Sequence, residues 1–534
     1  MHLVYLKTYF CVIIKFKMKK YLLLFIIAVF AMSCSKKVEV KGKITGGSPL
    51  ERIEFIEASG VATLPLANIG MKNDGTFTGS FEAPKNGMYV ISYGGKQNLV
   101  YLKGGQTLEI SGNGLTFPTE YVITGDAKKN NDFFTATQKY LGNYAQTVNM
   151  RELMTKDEKT FIQGVQKVQT DVEKNIDENV KKFSPDNEVV AWKKNDIAST
   201  ILSIMSQYEM TKGQMSGNPS FKVSKVFTDY ENKLQENKDQ MVKENPAYRS
   251  YLLSKMSPDF QKYAEAKSKG KTDITTSELF NEFLKGKKDL SQTTKDYLLA
   301  FVMAQSDIHP GTPAKTTDKL KKIISDDIKD ATIKSDLEKI QIAVSGPKVG
   351  EPAQDASLLK QDGKTYKLSE NKGKPYMLVF YASWNPYIGE ATIPVLKEVV
   401  NFYKSKMNFI FVNVDDTKEQ FTKTSSSLLK GIPGTNVYAD GGLNSDIAKK
   451  YGVYGFKLPC FVIVDKDGKI AARSFVNLGD PELVTVLDKQ TGLSAPKVDP
   501  SAQLQQQGMD PSAVQPVPPA QAPQQGNPQP AQTK

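Results

Sequence analysis

Cysteine is scarce in this 534-residue chain: there are three, Cys11, Cys34 and Cys460. Histidine is scarcer, with only His2 and His309. Three thiols spread over such a length cannot build the disulfide framework of a small secreted scaffold. A single histidine beyond the first few residues leaves no set for a zinc cluster and no Cys–His dyad. No metal and no cofactor is therefore expected. An apolar run long enough to cross a bilayer is also missing. The longest candidate, Tyr21 to Phe30, has ten residues, where about 20 are needed. The formal net charge is +12, but it forms no basic stripe interleaved with aromatics, so nucleic acid is not an expected partner.

What is present is ordinary for soluble protein, 40% hydrophobic and 24% charged residues. The length suggests roughly three or four domains. Met18-Lys19-Lys20 makes a positive start, Tyr21–Phe30 an apolar segment, and Ala31-Met32-Ser33-Cys34 a small-residue close. That layout reads as a secretory signal over residues 1–33, with Met18 taken as the true start. It resembles a bacterial lipoprotein signal, in which the cysteine, here Cys34, carries the acyl chains. Ala31 stands where that family usually has Leu. Three acyl chains would exceed the two signals needed for stable anchoring. The resemblance implies a lipid-anchored protein of the bacterial envelope, facing the periplasm, on the outer membrane more readily than the inner. Its partners would be the membrane itself and an envelope protein.

Residues 38–125 read as all-β. Val38, Val40 and Ile44 alternate with polar residues, and Ile53, Phe55 and Ile56 follow. Asn73-Asp74-Gly75 precedes the alternating stretch 76–81 and predicts a hairpin. Stretches at 88–93, 98–102 and 107–111, parted by Gly94-Gly95 and Gly104-Gly105, complete a predicted sandwich. The arrangement resembles an uncharacterised β-domain that precedes thioredoxin-like domains in Gram-negative lipoproteins, and implies a spacer or interaction module. Residues 126–345 read as helical. One stripe runs through Phe161, Val165, Val168, Val172, Ile176, Val180 and Phe183. Others run through Ile197, Ile201, Leu202, Ile204 and Met205, and through Leu320, Ile323, Ile324, Ile328, Leu337 and Ile340. Breaks are predicted near Pro185, Pro219, Pro246, Pro258 and Pro310. The tail, 494–534, is rich in Pro, Gln and Ala and is expected to be disordered.

Residues 346–493 carry the most specific pattern. An apolar run, Tyr376–Phe380, predicts a buried strand. Next come Trp384-Asn385-Pro386-Tyr387-Ile388, then Ile393, Leu396, Val399 and Val400 at helical spacing. Further on, Leu458-Pro459-Cys460 opens another apolar strand. Together these resemble the TlpA/ResA-like thiol-disulfide oxidoreductases of the thioredoxin superfamily, over about a quarter of the chain. The resemblance implies an α/β thioredoxin-like domain and a cis peptide before Pro459. In that family the corner reads Trp-Cys-x-x-Cys; here Asn385 and Ile388 occupy the cysteine positions. The expected architecture is thus multidomain: an all-β sandwich, an all-α domain, then the α/β domain.

Dithiol exchange requires a thiolate at a helix N-terminus and a second sulfur to resolve the mixed disulfide. Asn385 keeps only the capping half of that design, with Pro386 suited to the first helical position. The expected function is a redox-inactive binding or scaffold protein. One alternative is an oxidoreductase or peroxidase-like enzyme using Cys460 with an external thiol. Another is an accessory role in envelope nutrient handling, carried by the first two domains.

Overall fold

The computed structural model describes residues 37–495, apart from 49, 218–220, 271–272, 310–311, 390–391 and 476. The signal segment with Met18 and Cys34, and the tail from residue 496, lie outside the described residues.

The first domain has eight strands: β1 (Lys37–Thr45), β2 (Arg52–Glu57), β3 (Pro65–Gly70), β4 (Thr76–Glu82), β5 (Gly87–Tyr93), β6 (Lys96–Leu102), β7 (Thr107–Asn113) and β8 (Tyr121–Thr124). They form two sheets, β4-β1-β7-β8 and β3-β2-β5-β6. Val38, Val40 and Ile44 of one sheet share a core with Ile53, Phe55 and Ile91 of the other. The period-two pattern thus puts the apolar face of each sheet inward.

The predicted hairpin at Asn73-Asp74-Gly75 is not one. The tight turn forms, with Gly75 N donating to Lys72 O at 2.9 Å. Yet β3 pairs with β2 while β4 pairs antiparallel with β1, in the other sheet. The turn is a corner between sheets, because Phe77 and Phe81 gain more by lining the shared core than by extending the sheet of β3. Gly75 has φ +78°, and a Cβ there would fall 2.2 Å from Ile44 O, so the β1–β4 approach requires glycine.

From Lys128 to Ser345 the chain is helical. The predicted stripes are its core: Phe161, Val165, Val172, Ile176, Leu202, Met205, Leu320 and Leu337 are all buried together. Helices end as expected at Ser184, which is left-handed, at Gly217 and at Asn245. Pro258 does not break its helix, contrary to expectation; Pro246–Ser268 runs through it. Tyr251 is buried before Pro258, while Phe260 packs edge-on against Phe280 and Tyr263 against Phe283 after it. Burial on both sides outweighs the cost of the missing backbone donor. No described helix is long and apolar enough to cross a membrane.

The third domain has a seven-stranded mixed sheet. Its strands are β9 (Ser357–Lys360), β10 (Thr365–Lys367), β11 (Tyr376–Tyr381), β12 (Asn408–Asn413), β13 (Thr435–Tyr438), β14 (Cys460–Val464) and β15 (Ile470–Phe475). Their order is β10-β9-β13-β12-β11-β14-β15. The helix Thr392–Tyr403 connects the parallel strands β11 and β12, and Lys418–Ser427 connects β12 and β13. Every residue of β11 is buried, as its unbroken apolar run requires of a central strand covered on both faces.

Candidate functional site

The site is the corner that follows β11. A buried carboxylate ties it down: Asp415, just past β12, accepts from Ser383 N at 2.7 Å and Ser383 Oγ at 2.9 Å. Asp415 also accepts from Asn413 Nδ2 and Thr424 Oγ1. With four donors on one carboxylate, the loop that carries Trp384 is held to the neighbouring strand.

Asn385 is 6% exposed. Its Oδ1 accepts from Tyr387 N at 2.9 Å, capping a single 3-10 turn, Pro386–Ile388. It does not cap the long helix, as the sequence suggested. Gly389 (φ −67°, ψ −124°) leaves the helical path, and the first α-helical bond seen beyond it runs from Ile393 N to Gly389 O. The helix dipole therefore acts four residues beyond Asn385, outside the first turn where it is felt. Ile388 is buried among Val379, Tyr381, Leu396 and Phe461, on one face of the sheet. Tyr387 is exposed.

Cys460 lies on the opposite face, with Phe380, Ala382 and Tyr451, and Trp384 packs at the margin of that cluster. The Leu458–Pro459 bond is cis, as the resemblance implied. Cys460 is wholly buried, paired in register with Phe380 and Phe475. Burial pushes its thiol up to about 12, against a weaker opposite pull from the Lys457 and Arg473 charges. Lys457 is itself lowered to about 8 by burial. Ile388 and Cys460 thus lie on opposite faces of the sheet and do not form a reactive pair. Asn385 and Ile388 carry no sulfur, and the Cys460 thiol, the only cysteine among the described residues, faces the core.

Three residues of this site come from the first domain, and the sequence reading missed them. The Arg52 guanidinium lies over the Trp384 ring, 4.2 Å from its centroid. It also grips both carboxylate oxygens of Asp416, at 2.9 and 2.5 Å. Asn68 accepts from Arg52 through its backbone and side-chain oxygens, and Gly70 lets Asp416 approach. One compositional signal was available. Of 70 Lys and Arg residues only four are Arg, at 52, 151, 249 and 473. Two of the four, Arg52 and Arg249, are buried where a planar cation meets several acceptors at once. Arg249 is likewise buried, donating to Ser59 O of the sandwich and Val242 O of the helical domain.

The profile of the AhpC/TSA family matches residues 349–473. No curated protein matches the chain. Among solved structures, the C-terminal domain of a candidate thiol-disulfide oxidoreductase from Bacteroides thetaiotaomicron is 27% identical over 27% of this chain and 97% of its own, with a TM-score of 0.24. The thioredoxin domain of a thiol-disulfide oxidoreductase from Bacteroides vulgatus is 20% identical over 27% of this chain and 99% of its own, with a TM-score of 0.23. A thiol-disulfide oxidoreductase from Bacteroides fragilis is 23% identical over 26% of this chain and 98% of its own, with a TM-score of 0.23. The C-terminal α/β domain thus has a thioredoxin-like fold and is similar to the AhpC/TSA family over residues 349–473.

Proposed function

We propose that this chain is a lipid-anchored envelope protein whose thioredoxin-like domain binds and scaffolds without redox chemistry. One observation carries the reading: the only described thiol, Cys460, is buried, while Asn385 and Ile388 stand where the resemblance places the two cysteines. Thiol–disulfide exchange begins with attack by an accessible thiolate, and a second thiol must release the product. An amide and a branched alkane supply neither. The anchor is Cys34, and the protein faces the periplasm, on the outer membrane in preference to the inner. Its partners are the membrane, through the lipid, and an envelope protein.

The alternative, an enzyme working through Cys460, is disfavoured by the burial of that sulfur. Reduction of insulin disulfides tests both. The proposal expects no turnover above the thiol-only control. Turnover abolished by Cys460→Ser would establish the alternative instead. Turnover that survives Cys460→Ser would overturn both readings.

A further inference from the structure

Arg52 is the first residue of β2, placed opposite Gly70, the last residue of β3. Its side chain is only 9% exposed, although it sits at the end of a sheet. Nε donates to Asn68 Oδ1, and Nη2 donates to Asn68 O at 3.1 Å and to Asp416 Oδ1 at 2.5 Å. Nη1 donates to Asp416 Oδ2 at 2.9 Å, and the flat face covers Trp384. Asn68 is fixed in turn by donating from Nδ2 to Glu54 Oε1 at 2.6 Å. Each of the three guanidinium nitrogens is therefore bonded, and the cation also meets an indole face, a set of contacts that an ammonium cannot reproduce.

Backbone shape supports the same junction from both sides. At Gly70 a Cβ would fall 2.4 Å from Asp416 Oδ2 and 2.7 Å from Arg52 Nη1. At Gly455 a Cβ would fall 3.3 Å from Asn68 Nδ2 and 3.5 Å from Trp384 Cη2. Two glycines, one in each domain, thus leave room for the approach.

We propose that the Trp384 corner is a docking site occupied by the chain's own β-domain, with Arg52 as the anchor. An outside partner then reaches Trp384 only when the two domains part. This goes beyond the proposed function and stands whether or not the corner has any redox chemistry. The insulin assay is blind to domain opening, and the following measurement is blind to thiols.

The chain has two tryptophans, Trp192 and Trp384, so Trp192→Phe in the full chain leaves Trp384 as the sole indole reporter. Acrylamide quenching then reads its access to solvent, and small-angle scattering reads the separation of the domains. Arg52→Ala, Asp416→Arg and Gly70→Val each remove the junction in a different way. Each is expected to raise the quenching constant severalfold and to enlarge the radius of gyration, with the far-ultraviolet circular dichroism unchanged. Asp416 lies in a partly exposed loop of the third domain, so its variant reports even if Arg52→Ala unsettles the sandwich. Quenching and radius unchanged in Asp416→Arg, with the fold intact, would overturn the proposal.

Discussion

Cys11→Ser and Cys34→Ser together leave Cys460 as the sole thiol of the chain, and that thiol should be silent to aqueous reagents while the fold stands. Two routes to reaction exist, and both are slow. In the native state, burial moves the thiol from its ordinary 9.0 to about 12. That leaves about a thousandfold less thiolate at neutral pH, even if the reagent could enter. The other route is opening of β14, which lies between β11 and β15 in the sheet. An interior strand opens at close to the global unfolding cost, and about 5 kcal/mol already limits the open population to less than one in about a thousand. Ellman's reagent should therefore react at least about a thousandfold faster with the urea-unfolded chain than with the native one. A native rate within about tenfold of the unfolded rate would refute the reasoning. The same burial has an alkaline signature. The folded thiol titrates above the unfolded one, so its contribution to stability is complete below pH 9.0 and is lost as the pH rises towards about 12. In that window the stability of the native protein should fall relative to Cys460→Ala by about 1.4 kcal/mol per pH unit.

Cys34→Ala should leave an uncleaved precursor with no acyl label; normal lipid labelling in that variant would refute the anchor. Gly75→Ala should destabilise the sandwich by about 2 kcal/mol or more in urea titration, since it forces a left-handed backbone and a clash with Ile44 O; an unchanged midpoint would mean that the corner relaxes freely. Asn385→Cys with Ile388→Cys should close an intramolecular disulfide, because side chains three apart on a 3-10 turn eclipse each other. The first thiol of that pair should titrate close to its ordinary range, because the long helix begins beyond Gly389; a strongly depressed titration would show that the 3-10 turn alone activates it.

Local periodicity carries most of what was legible in the sequence. The alternation at Val38, Val40 and Ile44, the stripe from Phe161 to Phe183 and the solid run from Tyr376 to Phe380 each state which face is buried, and the structure agrees. What failed depends on choices made at a distance. Asn73-Asp74-Gly75 encodes a turn, but the strand that pairs with β4 is decided by where Phe77 and Phe81 find a core. Pro258 encodes a break, but aromatic packing on both sides carries the helix through. Asn385 encodes a cap, but the length of the capped helix is decided by the path of Gly389. Arg52 and Asp416 are 364 residues apart in sequence, and no local pattern links them.

On the proposed reading, the contact over Trp384 and the absence of dithiol chemistry fit together. A corner that exchanges no disulfide leaves the surface around Trp384 free to be covered by the β-domain. A guanidinium over an indole, bonded also to a carboxylate and an amide, fixes direction as well as distance. Through Arg52, Trp384 and Asp416, the corner fixes the β-domain against the thioredoxin-like one.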